Sequence, residues 1–146
     1  MYNPIMAANS LTLPSKKQLQ PIAKKYGLRF IVLFGSVARG KAHEESDIDV
    51  GVYTEKPITF NRRLKLWLEL CRAFNAEIDL AVLNHAEPVF GALVSRDGKL
   101  LFEGKKYAWE NWRSYKVRQY WDTKKFRDDL ERHLSRRVKA LDHVAA

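Results

Sequence analysis

Cysteines, long apolar runs and internal repeats are scarce or missing in this sequence. Cys71 is the one cysteine among 146 residues, so an internal disulfide cannot form. No run of about 18 apolar residues is present, which argues against a membrane-spanning helix. The first residues also lack the basic and apolar regions of a secretory signal. We therefore expect a cytoplasmic protein in which Cys71 is a buried structural thiol.

Acidic residues are also in the minority, with 17 Asp and Glu against 26 Lys and Arg and a formal net charge of +9. The excess is uneven, because residues 105–139 contain 12 basic and five acidic side chains. Such a segment indicates an anionic partner, either an acidic protein or RNA, although a solvated helix face is an equally good explanation.

The order of apolar patterns predicts an α/β chain whose small sheet is flanked by helices. Ser15 and Gln18 have the spacing of a capping box, Gly27 is expected to end that helix, and Pro21 is expected to restart it. The predicted strands cover residues 29–34, 47–53, 77–83 and 99–103. The predicted helices cover residues 36–39, 61–74, 88–94 and 107–141, the last as one helix or as two with a break near residues 122–123.

A possible phosphate site follows the first strand. Gly35 and Ser36 stand where that strand ends and a helical turn begins, and free backbone N–H groups at such a turn bind anions. Glycine allows close approach of the backbone to a phosphate, and serine adds a hydroxyl donor. Arg39, one turn later, would add a cation. We predict that Gly35, Ser36 and Arg39 bind a nucleotide.

Three aspartates supply the second half of this predicted site. Asp47 and Asp49 are two residues apart on a strand, so both side chains project from one face. Two adjacent carboxylates repel each other unless a cation lies between them, and Mg²⁺ prefers hard oxygen ligands together with substrate phosphates. Asp79 interrupts an apolar strand, where a lone buried carboxylate would be costly. A cap or a backbone hydrogen bond is the alternative explanation for these residues.

The segment LFGSVARGKAHEESDIDVGV, residues 33–52, resembles the signature of the DNA polymerase β-type nucleotidyltransferases. The fuller string, together with SRDGKLLFE at residues 95–103, is similar to the minimal nucleotidyltransferase (MNT) proteins. Those proteins are the antitoxins of HEPN–MNT toxin–antitoxin pairs. The resemblance covers about residues 28–103.

The resemblance implies a nucleotidyltransferase fold over residues 14–104, after a loose tail at 1–13 and before a basic helical segment at 105–146. It implies that Gly35 and Ser36 hold ATP and that Asp47, Asp49 and Asp79 hold two Mg²⁺ ions and form the catalytic set. It further implies transfer of AMP to a tyrosine hydroxyl of a cognate HEPN RNase toxin, which silences the toxin.

Two other functions stay open at this point. The chain could neutralise a toxin by occlusion through its basic aromatic C-terminal helix, or it could modify a small molecule. The aromatic residues interleaved with Lys and Arg after residue 105 favour packing against the domain or a partner, and RNA contact through stacking is the second possibility. The nucleotide base and the oligomeric state are not encoded in any pattern that we recognise.

Overall fold

The computed structural model describes residues 12–40 and 47–145, and it forms a four-stranded mixed sheet flanked by helices. The strands are β1 (Leu28–Phe34), β2 (Ile48–Thr54), β3 (Ile78–Val82) and β4 (Lys99–Glu103). The helices are α1 (Lys16–Tyr26), α2 (Gly35–Ala38), α3 (Phe60–Phe74), α4 (Pro88–Asp97), α5 (Ala108–Asp122) and α6 (Lys124–Ala145). The predicted fold class and element order are thereby confirmed, while most of the predicted tail, residues 1–11, lies outside the described residues.

The sheet has the strand order β3-β2-β1-β4. Strand β1 pairs antiparallel with β2 and β4, whereas β2 and β3 are parallel and are joined through α3. The two parallel strands therefore end at the same edge. A short 3₁₀ turn at Leu83–His85, which we did not predict, follows β3. From this turn, the Asn84 amide bonds both backbone groups of Thr54 at the end of β2.

Helix α1 begins and ends as its sequence predicts, but its middle differs. The Ser15 hydroxyl accepts from the Gln18 N–H group and the Gln18 side chain accepts from the Ser15 N–H group, which completes the capping box. Gly27 ends the helix in the left-handed conformation. The predicted restart at Pro21 was wrong, because α1 is continuous through this residue. Pro21 is exposed, so water can bond the carbonyl group that proline leaves unpaired.

Each face of the sheet has its own apolar core. On one face, α1 and α3 pack against residues such as Ile31 and Val50. On the other, α4 and α5 supply Val94, Trp109 and Trp112, which pack around Phe30. Strand β1 contributes to both cores, because alternate side chains of a strand point to opposite faces. The site described below lies on the α4–α5 face.

Helix α3 carries two sets of apolar residues with helical spacing, and only one set is fully buried. The residues that face the core are Leu66, Leu70 and Phe74, whereas Leu64 and Leu68 are 46% and 47% exposed. Both sets have helical spacing, so spacing alone did not choose between them. Cys71 is half-buried rather than fully buried, and desolvation raises the pKa of its thiol, in keeping with a structural role.

The C-terminal region forms two helices, with the break at Thr123 where we placed the alternative of two helices. Trp109 and Trp112 of α5 are buried, which confirms that these aromatic residues pack against the domain. The apolar residues of α6 are instead exposed. They are Phe126, Leu130, Leu134, Val138, Leu141 and Val144. Within the described ranges, no helix is long and apolar enough to cross a membrane.

Candidate active site

The turn between β1 and α2 brings Gly35 against a carboxylate. Gly35 has a φ of +72°, in the left-handed region that favours glycine. A Cβ atom built on Gly35 would lie 2.1 Å from Oδ2 of Asp49 and 3.0 Å from its Cγ. The turn thus needs glycine for two reasons, its backbone conformation and the space that Asp49 occupies. The end of the first strand and Asp49 of the second strand therefore meet here, as the sequence predicted.

Asp49 and Asp79 lie side by side on neighbouring strands. They are register partners in the parallel pair β2–β3, where strands run about 4.8 Å apart and paired side chains project from the same face. Ile48 and Val50, on either side of Asp49, point into the opposite core. The backbone register thus places Asp79 beside the strand that carries Asp49, as the predicted set of three aspartates requires.

The electrostatics of Asp49 reflect this crowding. Burial raises the pKa of the Asp49 carboxyl group, and the charges of Asp79 and then Asp47 raise it further. One premise of the sequence argument was wrong, because Asp79 is exposed rather than buried. Asp49, rather than Asp79, is the half-buried carboxylate of this pair.

The remaining predicted residues surround this pair less tightly. Asp47 is exposed and directly precedes β2, which begins at Ile48, one residue after the predicted start of that strand. Ser36 is half-buried in the first turn of α2. Arg39 is exposed at the end of α2, where its backbone N–H group donates to the Gly35 carbonyl group. The structure thus brings Gly35, Asp49 and Asp79 together; the charge of Asp47 acts on Asp49, and Ser36 and Arg39 lie on the adjoining α2 and at its end.

The donor chemistry suits a hard divalent cation, although the described side chains do not form a closed ligand cage. Among residues 12–40 and 47–145, no three His, Cys, Asp or Glu side chains converge as a ready-made metal site. Asp49 and Asp79 nevertheless offer carboxylate oxygens whose mutual repulsion a bound cation would relieve. Their residue types and positions therefore fit Mg²⁺ bound together with substrate phosphates.

Helix α4 also borders the site, which sequence analysis did not predict. The Phe90 ring packs edge-on against Phe34, with ring centroids 5.6 Å apart, and Phe34 directly precedes Gly35. Helix α4 is itself held by α5, because the buried Lys116 side chain packs over Gly91 and donates to the Ala86 carbonyl group. The signal available in the sequence was the apolar start of α4, PVF, in which Val89 and Phe90 are exposed.

Comparison with known proteins identifies the family. Residues 17–107 match the family model described as polymerase beta, nucleotidyltransferase. This chain belongs to that family. The matched region contains α1 from its second residue and every later element to β4, including the Gly35 turn and the three aspartates. The resemblance noted in residues 33–52 is therefore confirmed at the level of the family.

Individual relatives sharpen this assignment. The chain is 35% identical over 75 residues to the protein adenylyltransferase MntA of Shewanella oneidensis, which covers 51% of this chain and 54% of that protein. A second MntA, from Aphanizomenon flos-aquae, is 34% identical over 86 residues and is covered to 57%. The chain thus matches little more than half the length of these curated relatives.

Solved structures agree with the fold. A chain from the crystal structure of a toxin–antitoxin with AMP-PNP superposes with a TM-score of 0.69 at 24% identity, covering 82% of this chain and 98% of that chain. A chain from the complex of tri-AMPylated Shewanella oneidensis HEPN toxin with MNT antitoxin gives a TM-score of 0.64 at 22% identity, with coverage of 82% and 95%. At such identities the likeness establishes the nucleotidyltransferase fold.

Proposed function

We propose that this chain is a Mg²⁺-dependent protein adenylyltransferase. In this proposal, it transfers AMP from ATP to a tyrosine hydroxyl of a HEPN RNase toxin and so neutralises the toxin as its antitoxin. The observation that carries the proposal is the meeting of the Gly35 turn with the register-paired Asp49 and Asp79. The family match and the adenylyltransferase relatives support the same reaction class.

The residues divide into two roles. Gly35 and Ser36 would hold the triphosphate of ATP at the β1–α2 turn, with the exposed Arg39 available to its phosphate oxygens. Asp47, Asp49 and Asp79 would hold Mg²⁺, two ions in the family pattern, and the bound metal supplies charge neutralisation for the phosphates. The α-phosphorus forms a bond to the acceptor oxygen and loses its bond to the bridging oxygen, so pyrophosphate departs.

The exposure of Asp79 has a direct consequence for the acceptor. A hydroxyl group brought by another protein can reach an exposed carboxylate, and Asp79 would receive the proton that this hydroxyl loses. Asp49, half-buried between its neighbours, is poorly placed for the same task.

One observation favours the alternative in which the chain neutralises a toxin by occlusion. The apolar residues of α6 stand in an exposed row, with Leu134 52% and Phe126 70% exposed. A row of this kind suits a partner helix and requires no chemistry. The division of the chain at residues 104 and 105, the possible RNA contact and the cytoplasmic location remain predictions. A small-molecule acceptor has no comparable support.

The experiment that separates catalysis from occlusion compares the chain with its Asp47→Ala, Asp49→Ala variant in the presence of a HEPN partner. RNase activity and co-purification of the two proteins are measured side by side, with ATP and Mg²⁺ present. A Glu55→Ala, Glu110→Ala variant is the matched control, because it removes two exposed negative charges elsewhere.

If the chain acts as an enzyme, the aspartate variant still co-purifies with the partner but leaves its RNase active. The glutamate control inhibits the RNase like the unaltered chain. If the aspartate variant inhibits the RNase fully while bound, the proposed catalysis is wrong and occlusion is the mechanism.

A further inference from the structure

A cavity lies on the same face of the sheet as the aspartates but at the opposite end of the strands. Its volume is about 250 Å³. One wall is Tyr53, which follows Asp49 on β2 by four residues, or about 13 Å of strand. Another wall is Arg29, at the start of β1. Binding here would therefore be separate from the proposed catalysis.

The cavity is rich in positive charge. Arg29, Lys105 and Lys106 all line it. Within the described part of the chain, none of the three forms an ion pair with an acidic side chain. The nearby Glu103 is already engaged, since its two oxygens accept from the backbone N–H groups of Tyr107 and Trp109. Three cations without acidic partners favour an anionic ligand.

The loop that presents the two lysines is held in place. The N–H groups of Gly104 and Lys105 both donate to the Arg29 carbonyl group, at 2.7 and 3.4 Å. Tyr107 then adopts a left-handed conformation, with a φ of +68°, at the start of α5. This geometry fixes the backbone beneath the cations, so a ligand would meet a site that is already largely formed.

Aromatic side chains form the rest of the wall, and one of them has an unused donor. Tyr53, Trp112 and Tyr115 line the cavity. Tyr53 stacks on Phe30 at 5.5 Å, and Phe30 in turn contacts Trp112. Trp112 is buried, with a relative exposure of 7%, and its Nε1–H group has no acceptor among the described residues. This N–H group is itself buried, so it serves as a reporter of binding rather than as a ligand contact.

From this combination we infer that the cavity binds a phosphate group carrying an aromatic base. Arg29, Lys105 and Lys106 contact the phosphate, and the tyrosine rings contact the base, as in other stacking sites for nucleotides. The volume is slightly below that of typical ligand pockets, which suits one nucleotide rather than a larger compound. The same chemistry could come from a free mononucleotide or from a residue of single-stranded RNA.

The test follows the indole N–H resonance of Trp112 in the full chain by ¹H–¹⁵N NMR without Mg²⁺. A Trp112→Phe variant assigns the resonance. The probes are inorganic phosphate, AMP and a short single-stranded oligoribonucleotide. We expect AMP to move the resonance in a saturable way. In a Lys105→Ala, Lys106→Ala variant, binding should weaken by roughly tenfold, because charge-assisted hydrogen bonds to phosphate are lost.

The matched control is a Lys16→Ala, Lys17→Ala variant, which loses the same charge from the exposed start of α1 on the other face of the sheet. It should bind AMP like the unaltered chain. A response at lower concentration of the oligoribonucleotide than of AMP identifies RNA as the source, and the reverse order identifies a free nucleotide.

Two results would overturn the inference. One is a Trp112 resonance that none of the three probes moves. The other is AMP binding that the Lys105→Ala, Lys106→Ala variant leaves unchanged. Neither result bears on the proposed transferase activity, which depends on the other end of the sheet.

Discussion

Replacement of Gly35 by alanine tests the contact on which the candidate site depends. The new Cβ atom would lie 2.1 Å from Oδ2 of Asp49, more than about 1 Å closer than the roughly 3.5 Å of ordinary contact. Either the turn or the Asp49 carboxylate must therefore move. A left-handed φ adds about 1–2 kcal/mol for a residue with a side chain, and relieving the overlap adds about 1–3 kcal/mol more.

Gly40 supplies the matched control for this prediction. Its φ is +70°, nearly that of Gly35, but a Cβ atom there meets none of the described residues within 4 Å. Gly40→Ala should therefore lower the free energy of unfolding by the backbone contribution alone, about 1–2 kcal/mol. Thermal or urea unfolding of both variants measures the difference, which isolates the collision with Asp49.

A double variant completes the test. In an Asp49→Ala background the obstructing carboxylate is absent, so Gly35→Ala should cost no more than Gly40→Ala. In the otherwise unaltered chain, Gly35→Ala should also reduce AMP transfer by about 100-fold, since a misplacement of 1 Å is enough for such a loss. Equal destabilisation by Gly35→Ala and Gly40→Ala would refute the proposed contact.

Three further predictions concern charge, capping and packing. Asp49→Asn should raise the free energy of unfolding at neutral pH, where the crowded carboxylate is charged. Because folding raises the pKa of Asp49, this gain should fade as pH falls towards and below 3.8. A difference in urea unfolding that stays constant across pH would contradict the raised pKa. Glu103→Ala should cost about 0.5–2 kcal/mol by calorimetry, because both oxygens accept from backbone amides at the start of α5; an unchanged melting temperature would show that this cap contributes nothing. Leu66→Ala should cost about 2–5 kcal/mol, since Leu66 is fully buried, whereas Leu68→Ala should cost about 0.5 kcal/mol or less. Similar unfolding midpoints for the two variants would contradict the burial of the Leu66 face of α3.

Local signals in the sequence predicted the parts of the fold that depend on local physics. The capping box at Ser15, the left-handed stop at Gly27 and the bounds of β4 each depend on residues within a few positions of one another. The face of β2 on which the Asp49 carboxylate lies was also predictable, because side chains alternate along a strand. Such features require little knowledge of the rest of the molecule.

Features that depend on distant contacts were not predictable. The collision partner of Gly35 is set by the pairing of Phe34 with Asp49 across two strands. The face of α3 that is buried depends on where the sheet lies, and two overlapping helical patterns were available. The cavity near Trp112 joins residues from β1, β2 and α5, which no single window of sequence brings together.

The exposed apolar row on α6 is a further feature that the sequence predicted only in part. Its spacing predicted a helix with an apolar face, and the helix is present. Spacing does not reveal whether such a face packs within its own chain, however, and residues such as Phe126 and Leu134 remain exposed. Periodicity therefore predicts the element, while its partner depends on tertiary or quaternary structure.

The most direct test of the proposed function is the intact mass of a HEPN partner after incubation with this chain, ATP and Mg²⁺. The Asp47→Ala, Asp49→Ala variant is run in parallel. The proposal predicts a gain of one or more AMP units that the variant does not produce. An unmodified partner in a stable complex with the unaltered chain would contradict it.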